Sequence, residues 1–177
     1  MVLGGMTNPF QVTVRAETEN DYVAINEVID KAFHDMPYAD GDESELVTQL
    51  RTERALVVSL VAEHQKSIVG HIAFSPARAT DDSEGWFALG PVAVLPRYQA
   101  RGIGSDLVLA GINRIEKMGA VGCILTGNPN YYTSFGFKLS PMNTPPNEPE
   151  QFFMVKLLGN HEPKGPIYFH EAFSAAP

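Results

Sequence analysis

The segment from Leu89 to Leu107 constrains this chain more than any other. An apolar run ends at Pro96, a basic and glycine-rich turn follows, and an amphipathic pattern then begins at Ile103. A strand–loop–helix of this kind leaves free backbone N–H groups at the helix N-terminus, where the helix dipole also favours negative charge. Gly102 and Gly104 let the backbone approach a ligand closely, while Arg97 and Arg101 add fixed positive charge. The segment reads as an anion cradle suited to a pyrophosphate. The plain alternative is a glycine-rich turn with two solvated arginines.

The loop is no Walker A sequence, because no Gly-Lys-Ser/Thr follows the glycines. A dinucleotide fingerprint fits poorly as well: only Gly102-Ile103-Gly104 matches, and no acidic residue closes a second strand about 20 residues on. The order Gln99-Ala100-Arg101-Gly102-Ile103-Gly104 after Val92-Ala93-Val94 instead resembles the coenzyme A signature of the GNAT acetyltransferases. Downstream, Cys123 to Thr126 reads as a short buried strand, and Tyr132 stands four residues before Gly136-Phe137. That spacing is similar to the second GNAT signature, a tyrosine on a short helix after the fifth strand.

Composition sets the outer limits. A chain of 177 residues with 44% hydrophobic and 10% aromatic content is long enough for one ordinary globular domain. No apolar stretch approaches the roughly 20 residues of a membrane helix, and no secretory signal is seen. Residues 1–10 read as an N-terminal extension and 11–177 as the domain. Met1 to Gly5 suit a vector remnant or an upstream start, with Met6 as the natural beginning. The single cysteine, Cys123, agrees with a reducing cytoplasm and sits in an apolar strand, as a small hydrophobe would. A net charge of −8 and a pI near 5.0 argue against nucleic-acid binding. No zinc-ligand spacing appears, so no metal is expected.

Strands are expected at Gln11–Arg15, Ala55–Ala62, Ile68–Phe74, the run before Pro96, Cys123–Thr126, Gln151–Leu158 and Gly165–His170. A Thr18-x-x-Asp21 capping box opens a helix with Tyr22, Ile25, Ile29, Ala32 and Phe33 on one stripe. A second helix is expected from Ser44 to about Arg54. The helix after the cradle carries Ile103, Leu107, Ala110, Val108, Ile115 and Met118 inward, with Asp106, Asn113 and Lys117 wet and Gly119 as its C-cap. The order β-α-α-β-β-β-α-β-α-β-β gives an α/β fold with a mixed sheet, antiparallel at its start. With the resemblance, this is a GNAT-like, mostly antiparallel sheet flanked by helices. Pro91 within the strand favours a bulge or an edge. Phe152-Phe153 would suit a homodimer face or the core equally.

The resemblance implies an N-acetyltransferase that moves acetyl from acetyl-CoA, its cosubstrate, to the primary amine of a small molecule or a protein by direct attack. On that reading the Val92 N–H faces the thioester carbonyl and Val94 pairs with the pantetheine. Arg97 and Gln99-Ala100-Arg101-Gly102-Ile103-Gly104-Ser105 hold the pyrophosphate. Tyr132 is the general acid, while Asn128 and Tyr131 line the cofactor's tail or shape the turn at Pro129. The glutamate that some members carry four residues before the Val92 position is here Ala88. The base is therefore left open among His71, Glu84, His34, Asp35 and a water chain. The absent carboxylate also leaves room for a non-catalytic acyl-CoA-binding domain. Phe33, Asp35, Met36, Tyr38 and Asp40 occupy the place of the acceptor pocket, where carboxylates and aromatics would suit an ammonium.

Overall fold

Three successive, largely apolar segments build an antiparallel meander whose strands are buried on both faces. The computed structural model describes residues 11–37 and 39–174. Strand β1 (Thr13–Ala16) pairs with β2 (Val58–His64), which pairs with β3 (Ser67–Pro76), which pairs with β5 (Trp86–Val94). Strand β5 then meets β6 (Gly122–Thr126) in the parallel sense, and β8 (Phe153–Leu157) and β7 (Lys138–Leu139) complete a seven-stranded sheet in the order β1-β2-β3-β5-β6-β8-β7. The expected architecture is observed: a mixed, mostly antiparallel sheet flanked by helices.

Helices α1 (Tyr22–Phe33) and α2 (Glu43–Thr52) cover one face. Ile25, Val28 and Ile29 of α1 pack there on Val61, Ala73 and Ala93. Helix α3 (Ile103–Lys117) covers the other, with Ile103, Leu107, Val108 and Ile115 against Ile72, Phe74 and Cys123. Helix α3 approaches so closely that a Cβ at Gly111 would fall 2.1 Å from the Phe74 ring. Deleting a buried aromatic side chain of this kind costs about 3–5 kcal/mol.

The expected Thr18–Asp21 capping box forms around the 3₁₀ turn (Glu19–Asp21) that leads into α1. The Thr18 N–H donates to the Asp21 carboxylate at 2.7 Å, and the Thr18 hydroxyl donates to the same group at 3.2 Å. Arg15 also donates to Asp21, at 2.8 Å, and holds its pKa down at about 2. The carboxylate therefore ties β1 to the helix entry.

Three differences from the sequence reading have local causes. Strand β2 begins at Val58, not Ala55, because the N–H groups of Ala55 and Leu56 donate to the Leu50 carbonyl and close α2. Met118 is half exposed rather than inward, since it lies beyond the last full turn of α3; Gly119 follows with φ +86° as the expected cap. The final strand shrinks to β9 (Ile167–Tyr168), which leaves the main sheet and pairs with an unexpected two-residue strand, β4 (Arg78–Ala79). Phe153 is buried and Phe152 exposed, so alternation along the strand splits the aromatic pair. Tyr38 and Met1 to Gly5 lie outside the described residues.

Candidate active site

Strand β5 buckles midway. Ile72 faces Val92 and Phe74 faces Leu89, so Gly90 and Pro91 together oppose the single residue Ala73. Gly90 has φ +133° and its bond to Pro91 is cis. Proline brings no N–H to the ladder, and the irregularity falls where the sequence places it.

Beyond the bulge, β5 parts from β6. Their pairing covers Trp86–Ala88 against Gly122–Ile124, although β5 runs on to Val94. The direction of the free backbone groups follows from alternation. The Leu95 N–H donates to Val69 on β3 at 2.9 Å, so Ala93 also faces β3, while Val92 and Val94 turn their backbone groups into the gap. The side chain of Gln99 donates to the Val94 carbonyl from that side at 3.0 Å.

The cradle lies at the open end of the gap. Pro96–Tyr98 form one 3₁₀ turn, Ala100 and Gly102 adopt φ +61° and +84°, and α3 begins at Ile103. Gly102 accepts the first intrahelical bond from Asp106 at 3.0 Å, so the preceding amides of the first turn face outward. They border a cavity of about 300 Å³ lined by Val94, Gln99, Gly104, Ser105 and Tyr131 among others. The hydroxyls of Ser105 and Tyr131 are 3.1 Å apart across it. Arg97 donates to the Tyr98 hydroxyl at 3.0 Å, and Arg101 is exposed on the turn.

Tyr132 ends the short helix α4 (Pro129–Tyr132). Asn128 caps that helix, its side-chain oxygen accepting from the Asn130 N–H at 3.0 Å. The Tyr132 ring packs edge-on against Phe137 and Tyr131. Burial, then the neighbouring Tyr131, pushes its phenol up to about 12, so the group keeps its proton throughout the neutral range. Burial likewise pushes the Cys123 thiol up, away from reactivity.

The base candidates scatter. Ala88 is fully buried, Glu84 is exposed before β5 begins, and the His34 and Asp35 side chains are 80% and 95% exposed. His34 and Asp35 line a separate cavity of about 790 Å³ with Asp30, Arg97 and Tyr98. In the remainder of the expected acceptor loop, Phe33 is partly buried against α1's core, while Met36 is exposed.

His71 is fully buried and tied into a polar chain. Arg51 donates twice to Glu17 at 2.9 Å, Ser59 donates to Glu17, and the Ser59 oxygen lies 2.8 Å from His71 Nε2. Because the Ser59 proton goes to Glu17, Nε2 must carry the hydrogen and Nδ1 the lone pair. Burial pushes this imidazole down to about 4, with Glu17 opposing and Arg51 assisting. It is neutral at physiological pH.

One acidic group escaped the sequence reading. Glu148 sits in the proline-rich stretch before β8, half-buried, its carboxylate accepting from the Thr126 hydroxyl at 3.1 Å. Burial raises its pKa, against the opposing effect of that hydrogen bond. The segment has no periodicity that would place it, so nothing local marks the residue.

Comparison with known proteins accords with this geometry. The family model described as Acetyltransferase (GNAT) family matches residues 23–137. A GNAT family acetyltransferase from Brucella melitensis, solved in complex with acetyl-CoA, is 37% identical and superposes with a TM-score of 0.82, covering 93% of this chain and 99% of that one. YhbS, a GNAT family N-acetyltransferase from Escherichia coli solved with CoA, is 25% identical with a TM-score of 0.83, covering 93% of each. YjhQ, an uncharacterised N-acetyltransferase of the same organism, is 32% identical over 130 residues, 71% of this chain and 69% of that protein. The family match and the close relatives agree, and the chain belongs to the acetyltransferase (GNAT) family.

Proposed function

We propose that residues 11–177 act as a single N-acetyltransferase domain that moves acetyl from acetyl-CoA to a primary amine, preferably of a small molecule. The observation that carries this reading is the parting of β5 from β6 directly beside the N-terminus of α3. The gap offers the backbone groups of Val92 and Val94, the helix offers its first-turn amides, and Arg97 and Arg101 supply positive charge. These features suit, in sequence, a thioester carbonyl, an amide-bearing arm and a pyrophosphate. The acetyl-CoA and CoA held by the Brucella and YhbS structures support the same cosubstrate.

In this reading Ala93 joins Val92 and Val94 in flanking the arm. Arg97 and the stretch Gln99-Ala100-Arg101-Gly102-Ile103-Gly104-Ser105 hold the pyrophosphate, with Tyr131 across from Ser105 and Asn128 fixing the turn beneath. The Val92 N–H polarises the thioester carbonyl, as preorganised donors do in acyl transfer. An amine with a pKa near 10.4 attacks once it has lost a proton, and the leaving thiolate takes one from Tyr132. Desolvation of that partly buried phenol keeps it protonated at neutral pH, available to the departing sulfur. A reducing cytoplasm would suit the lone cysteine, Cys123; separately, among the described residues no helix is long and apolar enough to cross a membrane.

The test is thermal melting with acetyl-CoA, desulfo-CoA and ATP, followed by amine-dependent release of CoA. Saturation at about 100 times Kd adds roughly 2.7 kcal/mol, or roughly 5–10 °C for a domain this size. No rise with acetyl-CoA overturns the reading. A rise without amine-dependent turnover favours the acyl-CoA-binding alternative that the missing carboxylate at Ala88 leaves open.

A further inference from the structure

Thr126 ends β6 at the level where β5 buckles. The parallel register sets Trp86 against Gly122 and Ala88 against Ile124, so two residues further along each strand Gly90 stands level with Thr126, across the opening gap. Side chains alternate along β6. Cys123 and Leu125 enter the core beneath α3, while Ile124 enters the opposite face with Trp86 and Phe153. Thr126 therefore belongs to that opposite face. The cradle, α3 and the ring of Tyr132 lie on the first face.

Glu148 is held against Thr126 by its own chain. Its N–H donates to the Pro145 carbonyl at 3.0 Å, and the Phe152 and Phe153 N–H groups donate to the Pro149 carbonyl at 3.0 Å. Prolines on both sides stiffen the turn. One carboxylate oxygen takes the Thr126 hydroxyl, and the acid stays half-buried at the edge of the gap. Glu148 and Tyr132 thus flank the C-terminal end of β6, beside the gap, from opposite faces of the sheet.

We propose that Glu148 receives the acceptor: its carboxylate binds the ammonium of the incoming primary amine and takes the proton that the nitrogen sheds. The inference rests on the acetyl-transfer reading above. The protons balance as follows. The ammonium loses one proton through Glu148 to solvent and becomes a nucleophile. The new C–N bond forms as the C–S bond breaks, and Tyr132 protonates the departing sulfur. The second proton lost by the nitrogen restores the phenol, so one proton is released per acetyl transferred. Thr126 is a positioning residue that orients the carboxylate.

The test compares two small nucleophiles at neutral pH, n-butylamine, which is a cation, and hydroxylamine, which is uncharged. In Glu148→Gln the kcat/KM for n-butylamine should fall roughly 10²-fold while that for hydroxylamine changes less than about threefold. Thr126→Val should show the same selectivity with a smaller loss. Acetyl-CoA should raise the melting temperature of both variants by as much as that of the wild type. Equal losses for the two nucleophiles, no loss for n-butylamine, or loss of the acetyl-CoA shift in Glu148→Gln would overturn the assignment. If the wild-type protein shows no acetyl-CoA shift, the acetyl-transfer reading itself fails. If it binds acetyl-CoA but acetylates neither nucleophile, the acetyl-transfer reading gives way to acyl-CoA binding and the Glu148 assignment falls with it; if the wild type acetylates both and Glu148→Gln loses both equally, the Glu148 assignment fails alone.

Discussion

The ring of Tyr132 fills the space where residue 127 would carry a side chain: a Cβ added to Gly127 would lie 2.6 Å from Cε2 of that ring. The glycine therefore sets where the phenol stands. In Gly127→Ala the ring must shift, and misplacement of a reacting group by about 1 Å costs on the order of 10²-fold in rate. The expected result is a drop of that order in kcat with the affinity for acetyl-CoA retained. Adding Tyr132→Phe to this variant should lower kcat little further, because both changes remove one interaction.

The raised phenol of Tyr132 predicts an alkaline signature. Its folded pKa of about 12 lies above the ordinary 10.0, so folding favours the protonated form. That stabilisation is complete below about pH 10 and is lost as the pH climbs towards 12. Ultraviolet difference titration should find one late-ionising phenol that disappears in Tyr132→Phe. The same substitution should cut turnover by roughly 10²-fold and leave acetyl-CoA binding intact.

His71 predicts the acid limb. Its folded pKa of about 4 lies below the ordinary 6.5, so the unfolded chain binds more protons between these values. Stability must fall as the pH drops from 6.5 towards 4. Melting temperatures across that range should decline less steeply in His71→Gln than in the wild type. An imidazole that titrates by NMR near its ordinary value would contradict the buried, neutral tautomer.

Charge at the cradle predicts a salt dependence. Arg101→Glu should weaken acetyl-CoA by about tenfold or more, since a hydrogen bond to a charged group contributes about 1.5–3 kcal/mol. The wild-type affinity should fall with added salt and the variant's should respond less. Isothermal titration at two ionic strengths measures both.

What could be read in the sequence was whatever depends on neighbours along the chain. Pro91, the glycines at 102 and 104 and the Tyr132–Gly136–Phe137 spacing act through local backbone geometry, and each is found where the pattern places it. The helix stripes were equally legible, because a 3.6-residue period needs no partner to be seen. The pairing of β4 with β9 was not, since it joins two-residue segments nearly 90 positions apart. Glu148 was hidden for the same reason. Its environment comes from Thr126, 22 residues earlier, and from burial that no local period announces. His71 was visible as a residue but not as a tautomer, because Glu17 and Ser59 reach it only through the folded sheet.

The parting of β5 from β6 has a consequence for motion as well as chemistry. It creates an edge in the interior of a sheet, where Val92 and Val94 have backbone groups with no rung to complete. Edges of this kind are where amides exchange with solvent most readily and where an added strand docks most easily. A ligand arm carrying its own amides would serve as that missing strand. Loading the cosubstrate should then slow amide hydrogen exchange at Val92 and Val94 while leaving Ala93, already bonded to β3, unchanged, so that the sheet becomes continuous only with the cosubstrate in place.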